Sequence, residues 1–472
     1  MVEQAPVRRA ARLGTAGVAL FVGGCMSFVP TYERPAPPVP ATYAPELVPA
    51  GGSGTNAAAE IDWQRYFADA RLRRLIEIAL ANNRDLRVAI LNIEQARAAY
   101  QIKRADEWPT LGAGFTAQRA PGSTGALVNT FALGLQVTGY ELDLFGRVRA
   151  LSQAAQAQLL ATEEARKTVQ VSLVSAVASG YVALLADDEL LRVTRDTLKT
   201  RDDSLRLTKL KFDNGAASQL DTSQAEQLLE SARATLAQTQ RQRGLDENAL
   251  VLLLGQALPS DLPAPLPIAA QQAVTELPAG LPSELLTRRP DVRAAEQQLR
   301  AANANIGAAR AAFFPRIALT ANAGTASTQL DGLFKSGTWA LTGSASIVQT
   351  IFDSGRNQAN LDVAKVNKDI AIAQYEKAIQ TAFREVSDAL AGRATLGEQL
   401  RAQTALAKAA QTTYNLADLR YRNGAASYLD VLDAQRTLFT AQLGVVQVQA
   451  LQTQNLMTLY KVLGGGWSER AS

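Results

Sequence analysis

The sequence contains no histidine and a single cysteine. The first absence excludes His-based acid–base catalysis, Ser-His-Asp and Cys-His nucleophiles, and His-containing metal sites. The second excludes an intramolecular disulfide. Aromatics are few, at 6%. There is no long basic run. The formal charge is +4, and loss of residues 1 to 24 would remove Arg8, Arg9, Arg12 and Glu3, leaving about +2. The charge balance therefore gives no case for nucleic acid as a partner. A carboxylate-only hydrolase is still open, but no paired carboxylates sit in a Gly-rich pocket context, so an enzyme is not expected. Three methionines beside one cysteine give no sign of a soft-metal relay. No cofactor and no metal site is expected.

What is present points to helix and to repetition. The 472 residues allow two to four ordinary domains or one large repeated one. Apolar residues make up 47% and charged residues 19%, an ordinary balance for a folded chain. Ala, Gln and Leu dominate the middle of the sequence and favour helix.

The N-terminus reads as an address. Three arginines precede the apolar run "LGTAGVALFVGG", which ends at Cys25. The run is too short for a transmembrane helix and fits a signal peptide over 1–24. "FVGGCM" resembles a bacterial lipobox, which implies cleavage before Cys25 and acylation of its thiol and new amino group. Met rather than Asp at position 26 implies, by the usual lipoprotein sorting pattern, the outer membrane. The Pro-rich "PTYERPAPPVPATYAPELVPAGGSG" predicts an extended strap over 25–62.

Two units follow, over 63–280 and 281–472. "NRDLRVAILNIEQARAAYQIKRADEWPTLG" matches "RPDVRAAEQQLRAANANIGAARAAFFPRIA", with Asp85 against Asp291 and Pro109 against Pro315, about 206 residues apart. "YELDLFGRVRA" matches "QTIFDSGRNQA", and "KFDNGAASQLDTSQAE" matches "RYRNGAASYLDVLDAQ", at spacings of about 209. Landmarks recurring in one order mean one structural unit used twice. Each unit begins with a helix (84 to 107 in the first) stopped by Pro. Gly/Thr-rich alternating segments then predict β-hairpins at about 110–143, around the loop "RAPGSTGALV", and at about 316–352. Residues 145 to 212 and 356 to 422 contain no proline and almost no glycine, so each predicts a helix spanning about 100 Å. An Asn-Gly turn, near 213–218 and 422–427, reverses each of them. The returning helix runs to about Gly255 or Gly464. The two shorter helices of a unit can stack end to end against its long one. Val171, Val174, Val177, Tyr181, Leu184, Leu185 and Leu191 recur near 3.5 spacing, as a coiled-coil core would.

Four strands have two open edges, and open edges cannot sit in lipid. If the strands span a membrane, subunits must combine. Three copies would give twelve strands, above the usual minimum of eight.

The lipobox, "RPAPPVPATY", "YELDLFGRVRA", "RRPDVRAAEQQLRAANANIGAARAAFFPRI", "IFDSGRNQA" and "RYRNGAASYLDVLDAQRTLFTAQ" together resemble the outer-membrane factors of tripartite efflux pumps, the TolC-like lipoproteins of the OprM and NodT type. The resemblance covers essentially the whole mature chain. It implies a mainly α fold with β: a homotrimeric channel-tunnel with a 12-stranded transmembrane β-barrel and a long α-helical barrel through the periplasm. It implies passive conduction of drugs and toxic compounds, a periplasmic adaptor (membrane fusion) protein, and an inner-membrane RND-type pump that supplies the energy. The acylated Cys25 would anchor the chain in outer-membrane lipid. A type I protein-secretion duct and a lipid-anchored coiled-coil tether without a pore are the competing readings.

At the turns, Gly215 and Gly424 supply the left-handed conformation that ends a helix. Ser218 with Asp221, and Ser427 with Asp430, fit capping boxes. The second copy differs: Tyr421 replaces Phe212, Arg422 replaces Asp213, and Asp433 has no acidic counterpart. Asp430 and Asp433, three apart, share a helix face, so a trimer would carry six carboxylates near one level. The resemblance implies that Tyr421, Arg422 and Asp433 are gate residues, with Asp221 as acceptor on the other hairpin and Asp430 in an acidic ring. TolC has an arginine where this sequence has Ala426, so that link is missing and Arg422 is the candidate to replace it. The small residues Gly215, Ala216, Ser218, Gly424, Ala425 and Ser427 let another backbone approach closely and form the expected adaptor-docking surface.

Overall fold

The computed structural model describes residues 27–44, 61–123, 125–274 and 282–467. Cys25 and the signal peptide lie outside the described residues. The elements run α1 (Trp63–Tyr66), α2 (Ala70–Asn82), α3 (Arg84–Ala105), β1 (Leu111–Pro121), β2 (Leu127–Glu141), α4 (Arg147–Asp213), α5 (Gln219–Leu254), α6 (Pro282–Arg288), α7 (Pro290–Ala311), β3 (Arg316–Ser327), β4 (Trp339–Val348), α8 (Arg356–Arg422) and α9 (Tyr428–Val462). The chain divides into two compact bodies.

Of the described residues, the first body holds 27–36, 92–123, 125–163 and 294–376. Its centre is one antiparallel sheet in the order β1-β2-β3-β4. The two hairpins are therefore not separate: β2 pairs directly with β3, Leu133 opposite Thr325 and Leu135 opposite Ala323. The expected loop "RAPGSTGALV" is shorter than its letters suggest. Pairs from Arg119↔Asn129 to Pro121↔Leu127 zip it into the ladder, and Gly125 at φ +80° makes the turn. Likewise α3 stops at Ala105, because Trp108 N–H turns back to Ala105 O in a tighter turn before Pro109.

Alternation gives the sheet two unlike faces. Leu111, Phe115, Leu133, Leu135, Trp339 and Leu341 fall on one face by register, and Thr116, Gln118, Thr130, Gln136, Asn322 and Thr342 on the other. The apolar residues are exposed. On the polar face Gly134 and Gly324 lie opposite each other, where a Cβ on either would strike the other strand's backbone. The strap is fastened to α7. Asn303 Nδ2 donates to Pro30 O at 2.7 Å, and Arg34 pairs with Glu296 at 2.9 Å. Burial alone would raise the Glu296 pKa, but Arg34 and Arg300 hold it below the usual carboxylate value.

Of the described residues, the second body holds 37–44, 61–91, 164–274, 282–293 and 377–467. Of the seven core residues expected on α4, six are buried and Leu185 is half-buried. This stretch of α4 is apolar enough to cross a membrane by length and composition, yet half of it is already buried within the chain. Each short helix does meet its partner end to end. Asn83 Nδ2 donates to Leu253 O (3.0 Å) where α5 reaches α3, and Arg289 Nη1 donates to Val462 O (3.3 Å) where α9 reaches α7. Gly255 at φ +69° ends α5 so close to Asn82 O that a side chain would not fit.

One core carboxyl is costly. Asp187 of α4 is buried and faces Asp246 of α5, with Asp188 nearby. Arg243 serves Asp188 (2.6 Å) and Glu247 (2.6 Å) instead. Burial first, then Asp246 and Asp188, push the Asp187 pKa from 3.8 up to about 7. The folded state thus keeps a proton that the unfolded chain releases, so this group subtracts stability as pH rises from about 4 to 7. Asp187→Asn removes that loss. Thermal unfolding should show the variant melting a few degrees above wild type at pH 8, with the gap closing by pH 4.

Candidate functional site

Both helix-reversing turns lie in the second body and are built alike. At the first, Ala216 N–H donates to Lys211 O (2.8 Å) and Gly215 N–H to Phe212 O (2.9 Å). At the second, Ala425 N–H donates to Arg420 O (2.8 Å) and Gly424 N–H to Tyr421 O (3.0 Å). These paired bonds satisfy carbonyls that each long helix would leave orphaned. The Asn side chain adds one more in each copy, to Leu210 O (2.8 Å) or Leu419 O (2.7 Å). Both glycines sit at φ +72°.

The returning helices start with complete capping boxes. Asp221 Oδ2 accepts from Ser218 N–H (2.8 Å) and Oγ–H (2.7 Å), while Asp221 N–H donates to Ser218 Oγ (3.2 Å). Asp430 and Ser427 repeat the arrangement at 3.1, 3.0 and 3.4 Å. Both aspartates therefore carry a local duty in every chain.

The side chains that differ between copies are placed differently. Tyr421 is half-buried against a cluster of Leu205, Ala225, Leu228, Leu229, Tyr428, Val431 and Leu432. Its ring lies 5.1 Å from Tyr428, and the Lys211 ammonium sits 4.1 Å from its centre. Because Lys211 is on α4 and Tyr421 on α8, this contact ties one turn to the other. Arg422 is exposed and reaches Asp418, one helical turn back, at 2.8 Å. Asp430 and Asp433 line the same open groove of about 840 Å³, with Arg420, Ala426 and Leu429. Asp433 faces Arg436 at 4.0 Å. Among the described residues, neither Tyr421 nor Arg422 bonds to Asp221 within the chain. Sequence reasoning missed Lys211, Tyr428 and Asp418. The last was available, since Asp418 stands four before Arg422 on one helix.

The duplicated hairpins, the amphipathic four-stranded sheet and the paired turns match a known family. The model for "Outer membrane efflux protein" matches residues 75–256 and again 281–465. This chain belongs to the outer membrane efflux protein family. Over 467 residues it is 47% identical to the toluene efflux pump outer membrane protein TtgC of Pseudomonas putida, covering 97% of this chain and 96% of that one. It is 43% identical to the outer membrane protein OprJ of Pseudomonas aeruginosa over 467 residues, 96% of each chain. Among solved structures it resembles the open state of the MtrE outer membrane channel of Neisseria gonorrhoeae. The TM-score is 0.86 at 40% identity, covering 93% of this chain and 98% of that one. The family is one of outer-membrane efflux channels rather than a class of enzyme. The protein is located in the outer membrane as a component of efflux.

Within this outer membrane efflux protein the turn glycines can be tested directly. Gly424→Ala meets no steric obstacle, since nothing lies within 4 Å of the added Cβ, but it forces a left-handed backbone on alanine. That conformation costs about 1–2 kcal/mol. Hydrogen exchange at residues 420–430 should accelerate by roughly that free energy, while the sheet stays unchanged.

Proposed function

We propose that the protein is the passive exit duct of an efflux pump, working as a homotrimer with a gated periplasmic aperture. Three sheets would close one twelve-stranded barrel, with the face of Leu111, Leu135 and Leu341 toward lipid and the face of Gln136 and Asn322 lining water. The observation that carries this reading is that pairing of apolar and polar faces on a sheet whose two outer edges have no partner among the described residues. The long hairpins would form the tunnel. An inner-membrane pump of the RND type would supply energy and substrate through a periplasmic adaptor seated on Gly215, Ala216, Ser218, Gly424, Ala425 and Ser427. Acylated Cys25 would hold the strap to the membrane. Relatives named for toluene and antibiotic efflux favour small molecules over secreted proteins as cargo.

The aperture would be closed by Tyr421, Arg422, Asp430 and Asp433 on one hairpin and Asp221 on the other, across neighbouring copies. Arg422 is well placed to exchange. Its bond to half-buried Asp418 is an i,i+4 pair on one helix, a class worth only about 0.3–0.5 kcal/mol where exposed. A better-desolvated carboxylate on a neighbouring chain could draw it away. Tyr421 would hold its turn against Lys211 and Tyr428 while presenting its hydroxyl outward.

The double variant Tyr421→Phe and Arg422→Ser should raise single-channel conductance in planar bilayers without altering barrel assembly. Conductance equal to wild type would remove these residues from the gate.

A further inference from the structure

The second body contains an arginine in an unusual position. Arg201 of α4 is only 3% exposed. Its Nη1 donates to Leu228 O on α5 at 2.7 Å, and its guanidinium carbon lies 4.9 Å from the ring centre of Phe439 on α9. Its Nε has no hydrogen-bond partner, and among the described residues no carboxylate pairs with it. Arginine stays protonated in proteins and carries five N–H donors. A buried charge without a counter-charge costs several kcal/mol. The surroundings aggravate that cost: burial, and then the nearby Arg436, pull the Arg201 pKa below its usual value. Among the described residues, the Arg436 guanidinium has the long contact to Asp433 at 4.0 Å as its ion pair.

Arg201 lines a half-open pocket of about 220 Å³ between α4, α8 and α9 of one chain. Thr197, Gln411, Tyr414, Gln435 and Gln442 line it with groups able to donate a hydrogen bond, although one Gln411 N–H is taken by Asn415 (2.9 Å) and the Thr200 hydroxyl, also on the wall, already donates to Asp196 O (3.0 Å). The one acid on its rim, Asp196, is exposed and already accepts from Arg192 at 3.0 Å. Gln435 is buried, with one weak bond at 3.5 Å to Ser204 Oγ and its Oε1 unpartnered. Exchange of the amide's O and N assignments would let the Ser204 hydroxyl donate to Gln435 and free the amide N–H groups. At about 30 Å³ per water, the space holds several waters or one small anion with its remaining hydration.

We propose that this cavity is a binding site for a small inorganic anion, with the Arg201 guanidinium as its principal ligand and Thr and Gln side chains completing the shell. The anion supplies the counter-charge that the chain does not. It sits between the α4–α5 hairpin and the α8–α9 hairpin and so fastens one to the other above the two turns. The site is separate from the gate residues, and its existence does not depend on their role.

Bromide is the probe. Crystals of the full-length, detergent-purified protein are soaked in sodium bromide and measured at the bromine absorption edge. An anomalous peak within about 3.5 Å of the Arg201 guanidinium is expected, at hydrogen-bonding range once bromide's larger radius is allowed for. The peak should vanish in Arg201→Met. In parallel, the wild-type unfolding temperature should rise with bromide at constant ionic strength, set against a bulky organic anion, and the Met variant should respond at least severalfold less. Should Arg201→Met fail to fold, the wild-type peak and its bromide-dependent stabilisation still decide the matter. No wild-type peak, a peak that persists in Arg201→Met, or a carboxylate of a neighbouring copy seated on the guanidinium would each overturn the proposal.

Discussion

Strand β1 pairs on one side only, and so does β4. Each therefore presents a row of backbone N–H and C=O groups with no partner among the described residues. In water such an edge is a nuisance; in hydrocarbon each unpaired group costs several kcal/mol. For a family that lives in the outer membrane, that cost makes the sheet a fragment of something closed. The rest follows from it. A twelve-stranded ring of three sheets requires that each chain contribute equal arcs, which a duplicated unit does naturally. Strands of 10 to 15 residues are long enough to cross the hydrocarbon core. The close backbone approach at Gly134 and Gly324 keeps the ladder tight where a side chain would push strands apart.

The helical body answers a different constraint. Two helices of 67 residues cannot be stabilised by propensity alone and must bury a continuous stripe. The stripe is covered by helices laid end to end, and the joints are specific: Asn83 on Leu253 and Arg289 on Val462. Both turns then satisfy the helix ends with the same bonds within a few tenths of an ångström. That explains why Asn-Gly-Ala-Ala-Ser appears twice. Its Asn, Gly, first Ala and Ser each bond within the turn, so the differences between the hairpins fall on the flanking residues.

Local features were the most legible from sequence. The glycine at φ +72°, the Ser-x-x-Asp caps and the proline-terminated helices are decided by residues within one turn of each other. The twofold order of motifs exposed the duplication. Less legible was what depends on distant partners. The fusion of two hairpins into one sheet rests on β2 meeting β3, far apart in sequence. The sequence marks Tyr421 as a gate candidate but not its packing against Lys211 and Tyr428, which lie on other helices. Arg201, amid the charged residues of α4, carries no sequence signal of burial at all.

Closure of the barrel by three copies is the central claim, and the most direct measurement is the mass of the conducting species. Native mass spectrometry of the detergent-purified protein, on the preparation that forms channels in bilayers, should give three chains of about 50 kDa each before processing. A conducting preparation of single chains would contradict it, because four strands with two bare edges could then cross lipid unaided.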